Sequence, residues 1–88
     1  MKLIIAILHD QDQDQVSHAL TSAGLRVTAV ASSGGFLRKG QTTLLIGVED
    51  EQLETGLSII RENVKPAPVP EAKRATIFVI KVDQYLQY

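Results

Sequence analysis

Apolar residues fall in short blocks whose spacing changes from block to block. Residues 2–8 form a nearly unbroken apolar run rich in isoleucine, the pattern of a central strand covered on at least one face. The polar stretch 9–15 follows. There Asp10 or Asp12 can cap a helix, and Asp10, Asp12 and Asp14 all favour its N-terminal dipole. Val16, Ala19, Leu20 and Ala23 then recur at helical spacing and share one face. Gly24 suits the left-handed position that ends such a helix. In residues 25–32 the period drops to two: Leu25, Val27, Ala29 and Ala31 alternate with Arg26, Thr28, Val30 and Ser32. Arg26 and Thr28 therefore share the more polar face of a second strand. Gln41–Val48 reads as a third strand, with Leu44, Ile46 and Val48 opposite Thr43, Leu45 and Gly47. Gly47 marks a bulge, a close approach by a ligand or backbone, or a simple packing glycine. Glu49 or Asp50 caps a second helix whose stripe is Leu53, Leu57, Ile60 and Val64, widened by Ile59, with Gly56 allowing close packing. Residues 65–74 alternate proline with other residues and read as an extended connector. Residues 75–82 form a fourth strand, and 83–88 a tail carrying Tyr85 and Tyr88.

The order β-α-β-β-α-β predicts an α+β, ferredoxin-like sandwich: a four-stranded antiparallel sheet with both helices on one face. Two helices leave the other sheet face open. Ile5, Ile7, Leu45, Ile77 and Val79 cannot all be covered, so an oligomer with its sheets turned inward is expected, most simply a closed ring.

Composition narrows the chemistry. With 88 residues, one domain spanning 1–88 is expected. A net charge of -1 argues against binding a nucleic acid polymer, which wants a basic face. No cysteine is present, which removes disulfides and thiolate metal sites and fits a cytoplasmic location. No apolar stretch approaches the roughly 20 residues of a membrane span. No metal site or catalytic group is expected. His9 and His18 lack partners at ligand spacing. The series Asp10, Asp12, Asp14 opens like a calcium loop, but Gln15 and Thr21 stand where that loop needs glycine and glutamate. An acylphosphatase-like hydrolase would need an arginine after the first strand, where these aspartates would repel phosphate.

The stretch from Ser32 to Thr43 carries the most chemistry. Gly34 and Gly35 free backbone N–H groups to face an anion, Phe36 offers a stacking surface, and Arg38 and Lys39 add positive charge. The simpler reading is a glycine-rich hairpin in which Phe36 and Leu37 fold back on the core. Without ligand this hairpin is expected to be mobile.

The strings Met1–Ile7, Asp10-Gln11-Asp12, Gly34-Gly35-Phe36-Leu37-Arg38, Gly40, Thr42-Thr43, Gly47-Val48, Ala75–Val79 and Val82-Asp83 resemble the PII-like cyclic-di-AMP receptor family. The resemblance implies a non-enzymatic signalling protein. It would be a homotrimer binding cyclic-di-AMP, or a related adenine nucleotide, in clefts between subunits, with no cofactor. By position it implies that Arg26 and Thr28 face the ligand and that Gly35, Phe36 and Leu37 supply amides and the stacking surface. It also implies that Gly47 permits close approach and that Gln87 reaches in from the tail. Two departures are visible. Gln41 stands where the family has Asn, reaching one methylene further with the same amide. The connector 64–74 is also shorter than in typical members. They motivate an alternative: a trimeric scaffold that has lost its ligand and binds an unidentified protein effector.

Overall fold

The computed structural model describes residues 1–30, 40–64, 75–83 and 86. Within them the chain runs β1 (Lys2–His9), α1 (Asp10–Ser22), β2 (Arg26–Val30), β3 (Gln41–Val48), a 3-10 turn (Asp50–Gln52), α2 (Leu53–Asn63) and β4 (Ala75–Lys81). The sheet order is β2-β3-β1-β4 and every pairing is antiparallel. This is the expected ferredoxin-like fold.

Register explains the layering. β1 pairs Ile4 with Ile46 and Ala6 with Leu44 on one side, and Ile4 with Val79 and Ala6 with Ile77 on the other. Strand side chains alternate between faces, so Ile4, Ala6, Leu8, Leu44, Ile46 and Val48 all point one way. All six are buried, in one cluster with Val16 and Leu20 of α1, Leu25, Ile60 of α2 and Val64. Gly56 sets how closely α2 approaches. A Cβ there would stand 3.2 Å from Ile4 Cδ1 and 3.5 Å from Leu25 Cδ1, so the missing methyl is filled by the sheet's own core side chains. The helices are also joined at the surface, where Gln15 Nε2 donates to Asn63 Oδ1 at 3.2 Å.

Several local expectations change. β1 runs directly into α1, so His9 takes the N-cap position and neither Asp10 nor Asp12 caps the helix. Asp10 instead accepts a hydrogen bond from the Thr42 hydroxyl, and its backbone N–H donates to the Gly40 carbonyl at 2.8 Å. Asp12 is buried, continuing the stripe of Val16 and Leu20 one turn toward the N-terminus, while Ala23 at the far end is exposed. A buried acid is tolerable in the first turn because the helix presents unpaired N–H groups and its positive dipole end there. Of the two candidate caps before α2, Glu49 takes the role. It forms a capping box with Gln52 around the 3-10 turn. Gly24 adopts φ +86°, as the helix end required.

The largest correction concerns β4. Ile77 and Val79 were expected on the open face with Ile5, Ile7 and Leu45. The register puts them on the helix side, and Phe78 and Ile80 on the open side opposite Ile5 and Leu3. β4 is an edge strand that packs on the helix-side core only at Ala75, so Ile77, Phe78, Val79 and Ile80 are all exposed, Phe78 at 52%. The uncovered apolar surface is real, but it wraps both sides of one edge.

Candidate functional site

A cleft of about 700 Å³ opens where β2 begins, β1 begins and β3 ends. Pairing builds it. Gly47 of β3 stands between Leu3 of β1 and Arg26 of β2, and Leu45 stands opposite Thr28. Alternation then sends Leu3, Arg26, Thr28 and Leu45 to the open face together. Met1, Val48 and Val82 complete the apolar walls, and Glu49 and Gln52 add polar groups just beyond the end of β3. Val82 is held there by its backbone N–H, which donates to the Met1 carbonyl at 3.1 Å.

Arg26, Thr28 and Gly47 are three of the residues singled out in the sequence, and the fold brings them to one cleft. Arg26 and Thr28 are exposed, and among the described residues Arg26 makes no ion pair. Its guanidinium is available to an anion. Gly47 is informative because no contact among the described residues requires a glycine there. It does not have positive φ, the pairing on both sides runs through it without a bulge, and an added Cβ would meet only Met1 Cε at an ordinary 3.7 Å. The strand therefore carries no bulge at Gly47, and among the described residues only Met1 comes near the place of its missing side chain.

Gln41 lies elsewhere. It pairs with His9 at the opposite end of β3, about 20 Å from Gly47 at the usual rise per strand residue. Within one chain it does not meet Arg26 and Thr28. Gly35, Phe36, Leu37 and Gln87 lie outside the described residues, as does the hairpin expected to be mobile.

Glu49 and Gln52 were not foreseen as site residues. The Glu-x-x-Gln spacing was visible in the sequence, but it reads equally as a helix start, and only the fold shows that this helix start forms a cleft wall. Asp50 between them turns away. It lies 3.5 Å from the terminal amine and 4.0 Å from Lys2 Nζ.

Other chemistry finds less support. Among the described residues no group of three or more His, Asp or Glu side chains is placed to hold a metal ion. His18 is exposed on α1. The segment after β1 is helix rather than a phosphate loop. No helix among the described residues is long and apolar enough to cross a membrane.

Comparison with known proteins adds two findings. A family profile described as cyclic-di-AMP receptor, a receptor family rather than an enzyme family, matches residues 1–68. The match includes β1 to α2 and ends before β4. The crystal structure of a functionally unknown protein from Pediococcus pentosaceus is also similar, with a TM-score of 0.77 and 33% identity. That match covers 99% of this chain and 96% of the other.

Proposed function

Since the chain belongs to the cyclic-di-AMP receptor family, we propose that it is a non-enzymatic PII-like sensor that binds cyclic-di-AMP in clefts between the subunits of a homotrimer. The observation that carries this reading is the cleft itself, which gathers Arg26, Thr28 and Gly47 against apolar walls. An apolar slot suits a purine ring, an arginine that makes no ion pair among the described residues suits a phosphodiester, and a strand position without a side chain lets the ligand lie against the backbone.

The separation of Gln41 from this cleft supports a site shared between copies. Residues at the two ends of one strand contribute to one site only if a second chain brings its Gln41 end to the first chain's Arg26 end. In this reading the hairpin amides of Gly35 and Leu37, the ring of Phe36 and the tail residue Gln87 complete the enclosure. The exposed β4 supports association by a separate route. Phe78 and Ile80 extend the open face beyond Leu3 and Ile5, and contiguous apolar surface of this kind favours a protein partner. Phe78→Lys is expected to shift the protein from trimer to monomer in light scattering while the far-ultraviolet spectrum keeps its shape. An unchanged mass would place the subunit contact elsewhere.

Calorimetric titration with cyclic-di-AMP, with cyclic-di-GMP, ATP and AMP as comparators, tests the function. Saturation near one ligand per subunit by cyclic-di-AMP is the expected result. Failure of every nucleotide to bind an intact oligomer would favour the ligand-free scaffold. Gly47→Val sharpens the test, because a β-branched residue suits a strand and the chain leaves room for the first added carbon. Thermal stability should hold. Affinity should fall about tenfold or more, the scale of overfilling a packed site.

A further inference from the structure

We infer that Asp10 is the positioning residue for Gln41. It holds the chain on either side of Gln41, so that the amide is presented on the open face of the sheet from a backbone already fixed before ligand arrives. The inference rests on the proposed nucleotide site, in which Gln41 of one copy meets the ligand, and adds a residue that acts on this contact without touching the ligand.

Three attachments surround Gln41, and all come from the junction of β1 with α1. His9 is its register partner. The Asp10 backbone N–H donates to the carbonyl of Gly40, one residue before, at 2.8 Å. The Asp10 carboxylate accepts from the hydroxyl of Thr42, one residue after. The joint needs such anchors. Gly40 enters the strand at φ +86°, and a glycine has more backbone freedom to lose than any other residue.

Alternation along β3 separates the anchor from the contact. Thr42 shares the face of Leu44 and Ile46, which belong to the core under the helices. Gln41 shares the opposite, open face with Thr43, Leu45 and Gly47. The Asp10 carboxylate is thus engaged on one face while the Gln41 side chain stands on the other. The two faces also differ in what is already satisfied. Thr42 has its partner in Asp10. Gln41 is half-buried, and its side-chain amide makes no hydrogen bond among the described residues. Thr43, two residues along on the same face, is buried with its hydroxyl also lacking a partner. Buried polar groups are normally paired, so the open face at this end of β3 holds the groups whose pairing is still to come. With no internal partner, the Gln41 amide takes its direction from the backbone that carries it. A contact made from a fixed backbone costs less ordering on binding.

Calorimetric titration with cyclic-di-AMP, on the full chain in its native assembly, provides the test. Asp10→Ala is expected to weaken binding about fivefold, the worth of one ordinary hydrogen bond. Thr42→Val should do the same, because it removes the other half of that bond and keeps a β-branched shape. Asp10→Asn and Thr42→Ser each keep the bond and should bind within about twofold of wild type. Asp10→Asn also loses the charge that a helix N-terminus favours, so it separates a role in the stability of α1 from a role at Gln41. The double variant reads the connection directly. In a Gln41→Ala background, Asp10→Ala should cost less than about twofold in affinity, because a residue acting through Gln41 has nothing left to act on. Equal costs in the two backgrounds, or wild-type affinity in Asp10→Ala, would overturn the inference and leave the sensor reading standing. No cyclic-di-AMP binding by the wild type would overturn both.

Discussion

Arg26→Glu is expected to remove cyclic-di-AMP binding while leaving the fold intact. The side chain is exposed at the start of β2 and makes no ion pair among the described residues, so its replacement breaks no described interaction within the chain. Its loss would be felt by the ligand. A charge-assisted hydrogen bond is worth about 1.5–3 kcal/mol, and reversing the charge adds repulsion against phosphate in a cleft that already contains Glu49. The combined effect is a fall in affinity of about a hundredfold or more, read by calorimetry, with an unchanged melting temperature. Arg26→Lys should fall between the two, since an ammonium keeps the charge but loses the planar fork that matches two phosphate oxygens. Equal affinity in wild type and Arg26→Glu would move the phosphate site away from β2.

The second large effect concerns stability. Ile46→Ala should cost about 2–5 kcal/mol, the range for emptying a fully buried aliphatic position. Ile46 is completely buried in β3, in register with Ile4 and Val27, in one cluster with Val16 and Leu20 of α1 and Ile60 of α2. In a domain this small the total stability is about 5–15 kcal/mol, so the loss is a large share of it. The melting temperature should drop by roughly 15 °C or more. Ile5→Ala makes a useful comparison, because Ile5 sits on the open face and is only half-buried in the single chain. A penalty at Ile5 as large as at Ile46 would mean that a second copy covers the open face. A small one would leave that face wet.

Much of this architecture could be read from the sequence where the apolar blocks had clear ends. β3 was legible to its ends because the largely β-branched and aliphatic run from Thr42 to Val48 stands between the polar Gln41 and Glu49, and α2 was legible because its apolar stripe recurs at helical period. Reading failed where pattern carries no direction. From Ile77 to Ile80 every residue is apolar, so the sequence could not say which members face the helices. Only the pairing of Ala6 with Ile77 decides that. Asp12 misled for a different reason: an acid in a first helical turn is usually solvated, and its burial depends on where β1 ends, one residue later than the apolar run suggests. For the site, shared parity placed Arg26 and Thr28 on one face correctly. Their meeting with Gly47 depended on strand register, and the contribution of Glu49 and Gln52 on where the second helix docks, neither of which is local.

β1 lies between β3 and β4, and this has a consequence for the chain as it is made. β1 needs, on its outer side, residues 75–81, more than sixty positions further along the chain. Until those residues are available, one flank of the most hydrophobic strand keeps its N–H and C=O groups unpaired. Closing so long a span is slow, and an unpaired strand edge is a template for other chains. Growth temperature and synthesis rate should therefore govern the yield of this protein more than its final stability does, and a truncation before β4 should appear in the insoluble fraction.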